Sequence, residues 1–296
     1  MSRLVGRNWI CWWLLPAIAL QLGIIALPLA RTLALTGFEL DQFGAAQRWT
    51  GLANIKSLLR DAVFTDLVVP QTLTWTMACV GVTLVASLWL AGLLQAQQKG
   101  RAVSRSLVLL PWGVALSLSA IVWRWILQPD YGSLGQSLRA AGWLGGPLTW
   151  LAVPGPALAA VIGVGIWASI PFTTLTLAAG LEAVPAELYE AASLDGAGGW
   201  RQYFSIGLPL VQPVLLLVVL LNVIYVFNSF AIIWTLTRGE PANRTDTVIT
   251  YLYAHAFEYH DFQAAAAMSL LTFLALLGFS ILYAKIMLAL NRAPSP

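Results

Sequence analysis

Six long apolar runs separated by polar segments dominate the chain. A lipid bilayer core requires roughly 20 apolar residues per helical span. The pattern therefore predicts an all-α membrane protein, a polytopic helical bundle of about six transmembrane helices, with both termini on one side. The predicted spans are Trp9–Ala30, Thr72–Leu94, Leu107–Leu127, Ala157–Ala179, Val214–Leu236 and Ala264–Leu290.

The first apolar run follows a basic head, so a cleaved signal peptide is the alternative to a retained helix. The run is longer than a typical signal core and contains Pro16 and Pro28, which favours a retained helix. Trp9, Trp12 and Trp13 are expected in the aromatic belt at the membrane interface.

The polar segments suggest a division of the chain. A first helix and an external segment, with a short helix near Ala53–Leu59, precede a core of five further spans. A short tail follows. We expect two more external segments, of which the first contains a possible re-entrant or interfacial piece. The predicted ranges are 1–70, 71–290 and 291–296 for the three parts, and 133–156 and 237–263 for the two external segments.

Composition agrees with the apolar pattern. Of the 296 residues, 59% are hydrophobic and 10% are charged, and the mean hydropathy is +0.76. Soluble domains carry about 25% charged residues, so this chain is an integral membrane protein. The net charge of +3 is small and the bases form no stripe, so no nucleic-acid partner is indicated. Cys11 and Cys79 lie in apolar runs. We therefore expect them to be buried as small hydrophobic residues, and not to form a disulfide or bind a metal.

The segment Leu181–Pro213 differs from the other connections because it combines clustered acids with helix start and stop signals. Pro185 suits the first turn of a helix, where its missing N–H costs nothing. Gly196 supplies a stop. A second short helix is predicted to begin at Trp200 and to end before Pro209. On periodicity alone, an amphipathic interfacial helix with a glycine cap is the better-supported interpretation.

This segment resembles the EAA loop of ABC-importer permeases, and every fixed position of that signature is matched. The matching positions are Glu190, Ala191, Ala192, Gly196, Ile206, Leu208 and Pro209. In that family the loop forms a cytoplasmic coupling helix in a cleft of the ATPase subunit. Small alanines allow close backbone approach and a carboxylate can meet a basic partner. The resemblance therefore implies a coupling site at Glu190, Ala191, Ala192, Asp195 and Gly196.

The resemblance extends over nearly the whole chain and is most specific for the maltose, lactose and glycerol-3-phosphate type of sugar permease, notably in Arg105–Gly132. It implies the type I importer fold and half of a translocation pathway for a sugar or sugar-like solute, such as a polyol or glycerophosphate. It implies three protein partners: a second permease subunit, an ATP-binding cassette ATPase dimer and an extracytoplasmic solute-binding protein. The chain itself would have no cofactor and no enzymatic activity, because the ATPase binds ATP and magnesium. The expected location is the lipid bilayer of the bacterial inner membrane, as a multi-pass protein.

Two alternatives remain open, a stand-alone secondary carrier or channel and a membrane scaffold. No phosphate-binding loop of the G-x-x-x-x-G-K-[ST] type occurs in the sequence. No acidic residue lies deep in a predicted span, which weakens the carrier interpretation. A metal site is not expected at His255, Glu258, His260 and Asp261, because histidines five residues apart are poorly aligned on a helix.

Polar residues in the fourth and fifth spans mark a candidate substrate pathway: Ser169, Phe172, Asn222, Tyr225, Asn228 and Ser229. The spacing of Asn222, Tyr225 and Ser229 puts them on one helical face. Aromatic faces with neutral hydrogen-bonding groups suit an uncharged polyol. Hydrogen bonding between helices is the alternative role. By resemblance to the maltose-type permease, the sugar-contacting positions would be Gly165, Ala168, Ser169, Phe172, Asn222, Tyr225, Val226 and Ser229.

The basic residues indicate the orientation. Their numbers on the two sides are equal, but the N-terminal tail and the loop from Lys99 to Arg105 carry bases and no acids beside span ends. The positive-inside rule therefore places both termini and the Glu190 loop in the cytoplasm. Arg124 lies near the outer end of its span, where an interfacial anchor is expected.

Overall fold

The computed structural model describes residues 8–97, 99–143, 145–146 and 149–292. The basic head, and the side chains of Trp9, Cys11 and Trp12, lie outside the described residues. Helices form most of the described chain. They are α1 Asn8–Gln21, α2 Leu27–Leu35, α3 Ala53–Leu58, α4 Val69–Ala96, α5 Arg101–Leu109, α6 Leu116–Ile126, α7 Ser133–Ala140, α8 Pro154–Glu182, α9 Ala186–Leu194, α10 Gly199–Gln202, α11 Leu208–Leu210, α12 Gln212–Phe227, α13 Ala231–Leu236, α14 Val248–Tyr253 and α15 Phe262–Arg292.

Shorter elements connect these helices. Wider π-helical turns occur at Leu22–Ala26, Phe64–Val68, Tyr203–Gly207 and Ala254–Glu258, and a 3₁₀ turn at Leu110–Gly113. Strands β1 Phe38–Leu40 and β2 Ala46–Trp49 pair antiparallel. The predicted short helix near Ala53–Leu59 is confirmed as α3, whereas the hairpin was not predicted.

Five helical stretches of the described chain are long and apolar enough to cross a membrane, and a bent helix pair makes a sixth. They are Trp13–Leu35, Phe64–Ala96, Pro154–Glu182, Gln212–Leu236, Phe262–Leu290 and the pair Arg101–Gly113 with Leu116–Ile126. The prediction of about six transmembrane helices in an all-α bundle is thereby confirmed.

The third span is not the straight helix that the sequence predicted. Its two parts meet at 89°. Val114 and Ala115 have extended backbones between them, so no helical hydrogen bond crosses the junction. Pro111 lacks an N–H and Gly113 resists helix formation, which explains why the break falls here.

The chain divides into two compact units. One comprises Met1–Ala62 with Leu252–Ala275, and the other comprises Val63–Tyr251 with Leu276–Pro296. The division at residue 70 that the sequence suggested stays a prediction.

In the first unit, the hairpin is fixed by a buried amide. Asn54 donates from Nδ2 to the carbonyl oxygens of Thr36 at 2.9 Å and Phe38 at 2.7 Å. At the turn, backbone N–H groups of Ala45 and Phe43 donate to Asp41, and these hydrogen bonds lower the pKa of its carboxyl group. The strands have only three and four residues. The alternation of apolar and polar residues along such short strands is too brief to predict the hairpin.

In the second unit, α4 and α8 pack closely because α8 has a glycine at the crossing. A Cβ at Gly165 would lie 2.4 Å from the Trp75 ring and 3.0 Å from the sulfur of Cys79. The Trp75 indole is buried and donates to the carbonyl oxygen of Val226 at 2.9 Å. Cys79 is buried, as its apolar surroundings in the sequence predicted. The core therefore lies between α4, α8 and α12.

The segment 237–263 is more structured than the polar loop predicted from its composition. Asp246 is buried and accepts a hydrogen bond from the Thr250 hydroxyl at 2.7 Å. The backbone N–H of Val248 donates to the Thr72 hydroxyl on α4 at 2.8 Å. Because these polar side chains satisfy each other, the residues around α14 fold without being apolar.

Candidate functional site

The segment between α8 and α12 contains a short helix with defined ends. Pro185 directly precedes α9, and Gly196 ends the helix with φ of +76°. The N–H of Ala197 donates to Ala192 O at 2.9 Å, and the N–H of Gly196 donates to Ser193 O at 3.0 Å. These two bonds form the Schellman motif, in which glycine best tolerates the left-handed backbone. The predicted helix and glycine stop are confirmed.

The second short helix does not end before Pro209, so that prediction is wrong. Helical backbone continues from α10 through the π turn Tyr203–Gly207 into α11, where Pro209 occupies the second position. Proline disrupts the regular α-helical bonding one turn earlier, and a wider π turn there accommodates the change.

Aromatic and amide side chains anchor this segment to its neighbours. The Tyr203 hydroxyl donates to Leu88 O of α4 at 2.8 Å. Burial raises the pKa of Tyr203, so the hydroxyl keeps its proton. A Cβ at Gly92 would come within 3.3 Å of the Trp200 and Tyr203 rings. The Gln202 amide donates to Ser193 Oγ and Ala197 O, each at 2.8 Å, and so ties α10 to the end of α9.

Most of α9 is exposed to solvent. Glu190, Ala191, Asp195 and Gly196 are exposed, and Ala192 is half-buried. Leu194 beside them is 91% exposed. The five predicted coupling residues therefore lie together: Glu190, Ala191 and Ala192 on α9, and Asp195 and Gly196 directly after it. An exposed leucine beside small residues and carboxylates is a surface to which a partner protein could bind.

A second candidate site is a cavity of about 370 Å³ between α8, α12 and the 3₁₀ turn. Its walls are formed by Trp112, Ala168, Ser169, Phe172, Leu221, Asn222, Ile224 and Tyr225. The rings of Trp112 and Phe172 stack with centroids 6.0 Å apart and planes at 27°. No charged side chain lines this cavity among the described residues.

Four of the six predicted pathway residues line the cavity: Ser169, Phe172, Asn222 and Tyr225. Their polar groups are not equally available. Asn222 is buried and exchanges hydrogen bonds with Thr173, with Nδ2 3.0 Å from Oγ1, so its amide joins α12 to α8. Ser169 donates to Gly165 O at 2.8 Å. Tyr225 is half exposed, and its side chain lines the cavity.

The other two predicted pathway residues do not line this cavity. Asn228 donates to Ile224 O at 2.8 Å, and Ser229 is buried outside the cavity wall. Of the positions suggested by resemblance, Gly165 packs on Trp75 and Val226 belongs to the core. Sequence reasoning missed Trp112, although the proline beside it signals a break that could turn this ring inward.

In the first unit, His255 and Asp261, two of the residues at which no metal site was expected, form a close pair. His255 Nδ1 lies 3.1 Å from Asp261 Oδ2. This hydrogen bond, with a second from the Ala264 N–H, lowers the pKa of the Asp261 carboxyl group. The described residues contain no group of three or more possible metal-ligating side chains.

The fold is an apolar helical bundle with an exposed short helix between α8 and α12, and it has an uncharged cavity between α8, α12 and the 3₁₀ turn. Residues 83–295 match the family described as the binding-protein-dependent transport system inner membrane component. The chain belongs to this family and is a permease subunit of ABC importers.

Two relatives and one solved structure are similar to the chain. A probable ABC transporter permease protein of Brucella abortus is 38% identical over 92% of this chain and 94% of the relative. The trehalose/maltose transport system permease protein MalF of Thermococcus litoralis is 34% identical over 92% and 91% of the two chains. The fold matches a chain in the crystal structure of a bacterial ABC transporter that imports the acidic polysaccharide alginate. That match has a TM-score of 0.85, covers 98% and 97% of the two chains and has 21% identity.

Proposed function

We propose that this chain forms half of the membrane channel of an importer for a neutral sugar or polyol. The cavity lined by Trp112, Phe172 and Tyr225 carries this proposal. Aromatic rings stack on the apolar faces of sugars, while a hydroxyl can hydrogen-bond to the solute. The similarity to a trehalose/maltose permease supports the same class of solute.

The charge of the cavity favours a neutral solute over an acidic one. Transfer of a carboxylate or phosphate into an apolar site is costly unless a cation pairs with it. None of the described residues lining the cavity is a lysine, arginine or histidine. A glycerophosphate, which the resemblance left open, would have to find its cation on the second permease subunit.

The exposed side of α9 would receive the force that drives transport. A separate ATPase dimer would bind ATP and magnesium and contact Glu190, Ala191, Ala192, Asp195 and Gly196 from the cytoplasm. A solute-binding protein would deliver the solute from outside the bacterial inner membrane. Support comes from the missing phosphate-binding loop, from the exposed Leu194 and from the family itself.

Uptake by the reconstituted complex tests the solute class. The chain, its partner permease, the ATPase and the binding protein are placed in vesicles and offered neutral disaccharides, polyols and sugar phosphates. Neutral sugars or polyols should accumulate with ATP. Exclusive accumulation of sugar phosphates would refute the neutral class, and accumulation without ATPase would favour the stand-alone carrier.

Cavity variants locate the solute. We expect Tyr225→Phe to raise the KM of uptake roughly threefold to tenfold, since a single hydrogen bond contributes about 0.5–1.5 kcal/mol. Phe172→Ala should raise it more, because it also removes the stack with Trp112. Met77→Ala, at a position 74% exposed on α4, is the control. Equal KM values in all three variants would place the solute elsewhere.

Glu190→Lys tests the proposed contact with the ATPase. Reversal of a charge that meets a basic partner costs several kcal/mol, so uptake should fall about tenfold or more at normal levels of the inserted chain. Glu187→Lys is the matched control, because it makes the same change one turn earlier on the exposed side of α9. Equal effects of the two changes would show that only the net charge of the helix matters.

A further inference from the structure

A cluster of three charged residues joins the end of α8 to the start of α5. Glu182, the last residue of α8, accepts from Arg101 Nη1 at 3.1 Å and also from Arg105 Nη2, both through its Oε1 atom. Only three residues separate Glu182 from α9. Any displacement of α9 therefore reaches this carboxylate almost directly.

Arg101 extends the cluster to a third helix. Its Nε donates to Leu94 O at 3.0 Å, and its Nη2 donates to Gln95 O at 2.8 Å, both at the end of α4. The planar guanidinium can serve these acceptors and the carboxylate at once. Isolated exposed ion pairs contribute only about 0.2–1 kcal/mol. Arg101 instead makes three hydrogen bonds at once, two to α4 and one to α8, and these hold the start of α5 in place.

The other end of α5 leads into the cavity. The 3₁₀ turn that follows carries Trp112, which stacks on Phe172 and forms part of the cavity wall. Both α5 and this turn pack along α8. Beyond Gly113, the extended residues Val114 and Ala115 separate this stretch from α6. Residues 101–113, here called the α5 arm, thus connect the charged cluster with the cavity and end at a non-helical junction.

We propose that Arg101, Arg105 and Glu182 are positioning residues that transmit displacement of α9 to the cavity wall. When α9 moves, Glu182 shifts the α5 arm, the arm pivots at Val114–Ala115, and Trp112 slides over Phe172. The inference deepens the proposed function and depends on it, because it assigns the link between the ATPase contact and the solute cavity. Access to the cavity would then be set by the position of Trp112.

A double-mutant cycle on Glu182→Gln and Trp112→Ala tests this link in the reconstituted complex. The measured quantity is solute imported per ATP hydrolysed, which a purely structural role would not change. Each single variant should lower it about fivefold, the lower end of typical coupling effects. If one arm connects the two sites, the double variant should also lose about fivefold, whereas independent sites would lose about 25-fold because their free-energy effects add.

The controls separate coupling from folding and charge. Glu182→Asp should retain most of the coupling. Lys99→Gln removes a positive charge just before α5, outside the cluster, and should retain all of the coupling. If Glu182→Gln prevents assembly, Arg105→Gln takes its place, because Arg101 then keeps its bonds to α4. Additive losses in the double variant, or no loss in any single variant, would contradict the proposal that the α5 arm couples α9 to the cavity. A wild-type complex without binding-protein-stimulated ATP hydrolysis would instead overturn the proposed function.

Discussion

Gly196→Val is expected to abolish uptake while the chain still inserts into the membrane. Gly196 has φ of +76° and donates the hydrogen bond that closes the end of α9. A left-handed backbone costs a non-glycine residue roughly 1–2 kcal/mol, and a β-branched side chain is especially disfavoured there. The short helix has no buried residue to compensate. Its end should therefore unwind, and the surface proposed to meet the ATPase should lose its shape.

Uptake and ATPase binding by the purified complex are the measurements for this variant. Gly198→Ala is the matched control, since Gly198 has φ of −69° and its added Cβ would have no neighbour within 4 Å. Loss of transport in the Gly196 variant alone would locate the effect in the helix end. Normal transport in that variant would mean that the shape of α9 is unimportant for coupling.

Gly165→Val is expected to prevent accumulation of folded protein. Its Cβ alone would lie 2.4 Å from the Trp75 ring, and the indole cannot swing away without losing its hydrogen bond to Val226. Overpacking of a core typically costs about 1–3 kcal/mol. A β-branched residue at a helix crossing should exceed this range, because both helix backbones must separate.

The milder pair Gly165→Ala and Gly163→Ala measures the same contact. Gly163 lies two residues away on α8, and a Cβ there meets nothing within 4 Å. Thermal unfolding in detergent should show a Tm several degrees lower for Gly165→Ala and little change or an increase for Gly163→Ala. Equal Tm values would contradict the close approach of α4 and α8 at this glycine.

The spans could be predicted from the sequence because each is a local, continuous apolar run. The start and end of α9 could also be predicted, because Pro185 and Gly196 act through their own backbone conformations. The bend near Gly113 was not predicted, because the apolar run continues through it and outweighed the break signals of Pro111 and Gly113. The hairpin was not predicted either, because Asn54 reaches its partners only after the chain has folded back.

The cavity residues were predicted only in part. Helical spacing correctly placed Asn222 and Tyr225 on one side of α12. The same spacing failed for Ser229, because α12 ends at Phe227 and the periodicity ends with it. Trp112 was missed because its direction depends on the angle of the bend, and Pro111 and Gly113 signal a break without giving that angle. Site residues were thus predictable only where one regular helix carried them.

The sharp bend between α5 and α6 also bears on how the chain enters the bilayer during synthesis. α6 has 11 residues, about 16 Å of helix, roughly half of the thickness of the hydrocarbon core. Such a segment is a weak membrane anchor by itself. It packs against α13 and α8, both made later by the ribosome. Stable insertion of this stretch should therefore wait for downstream helices, and truncation before α13 should leave it accessible to protease.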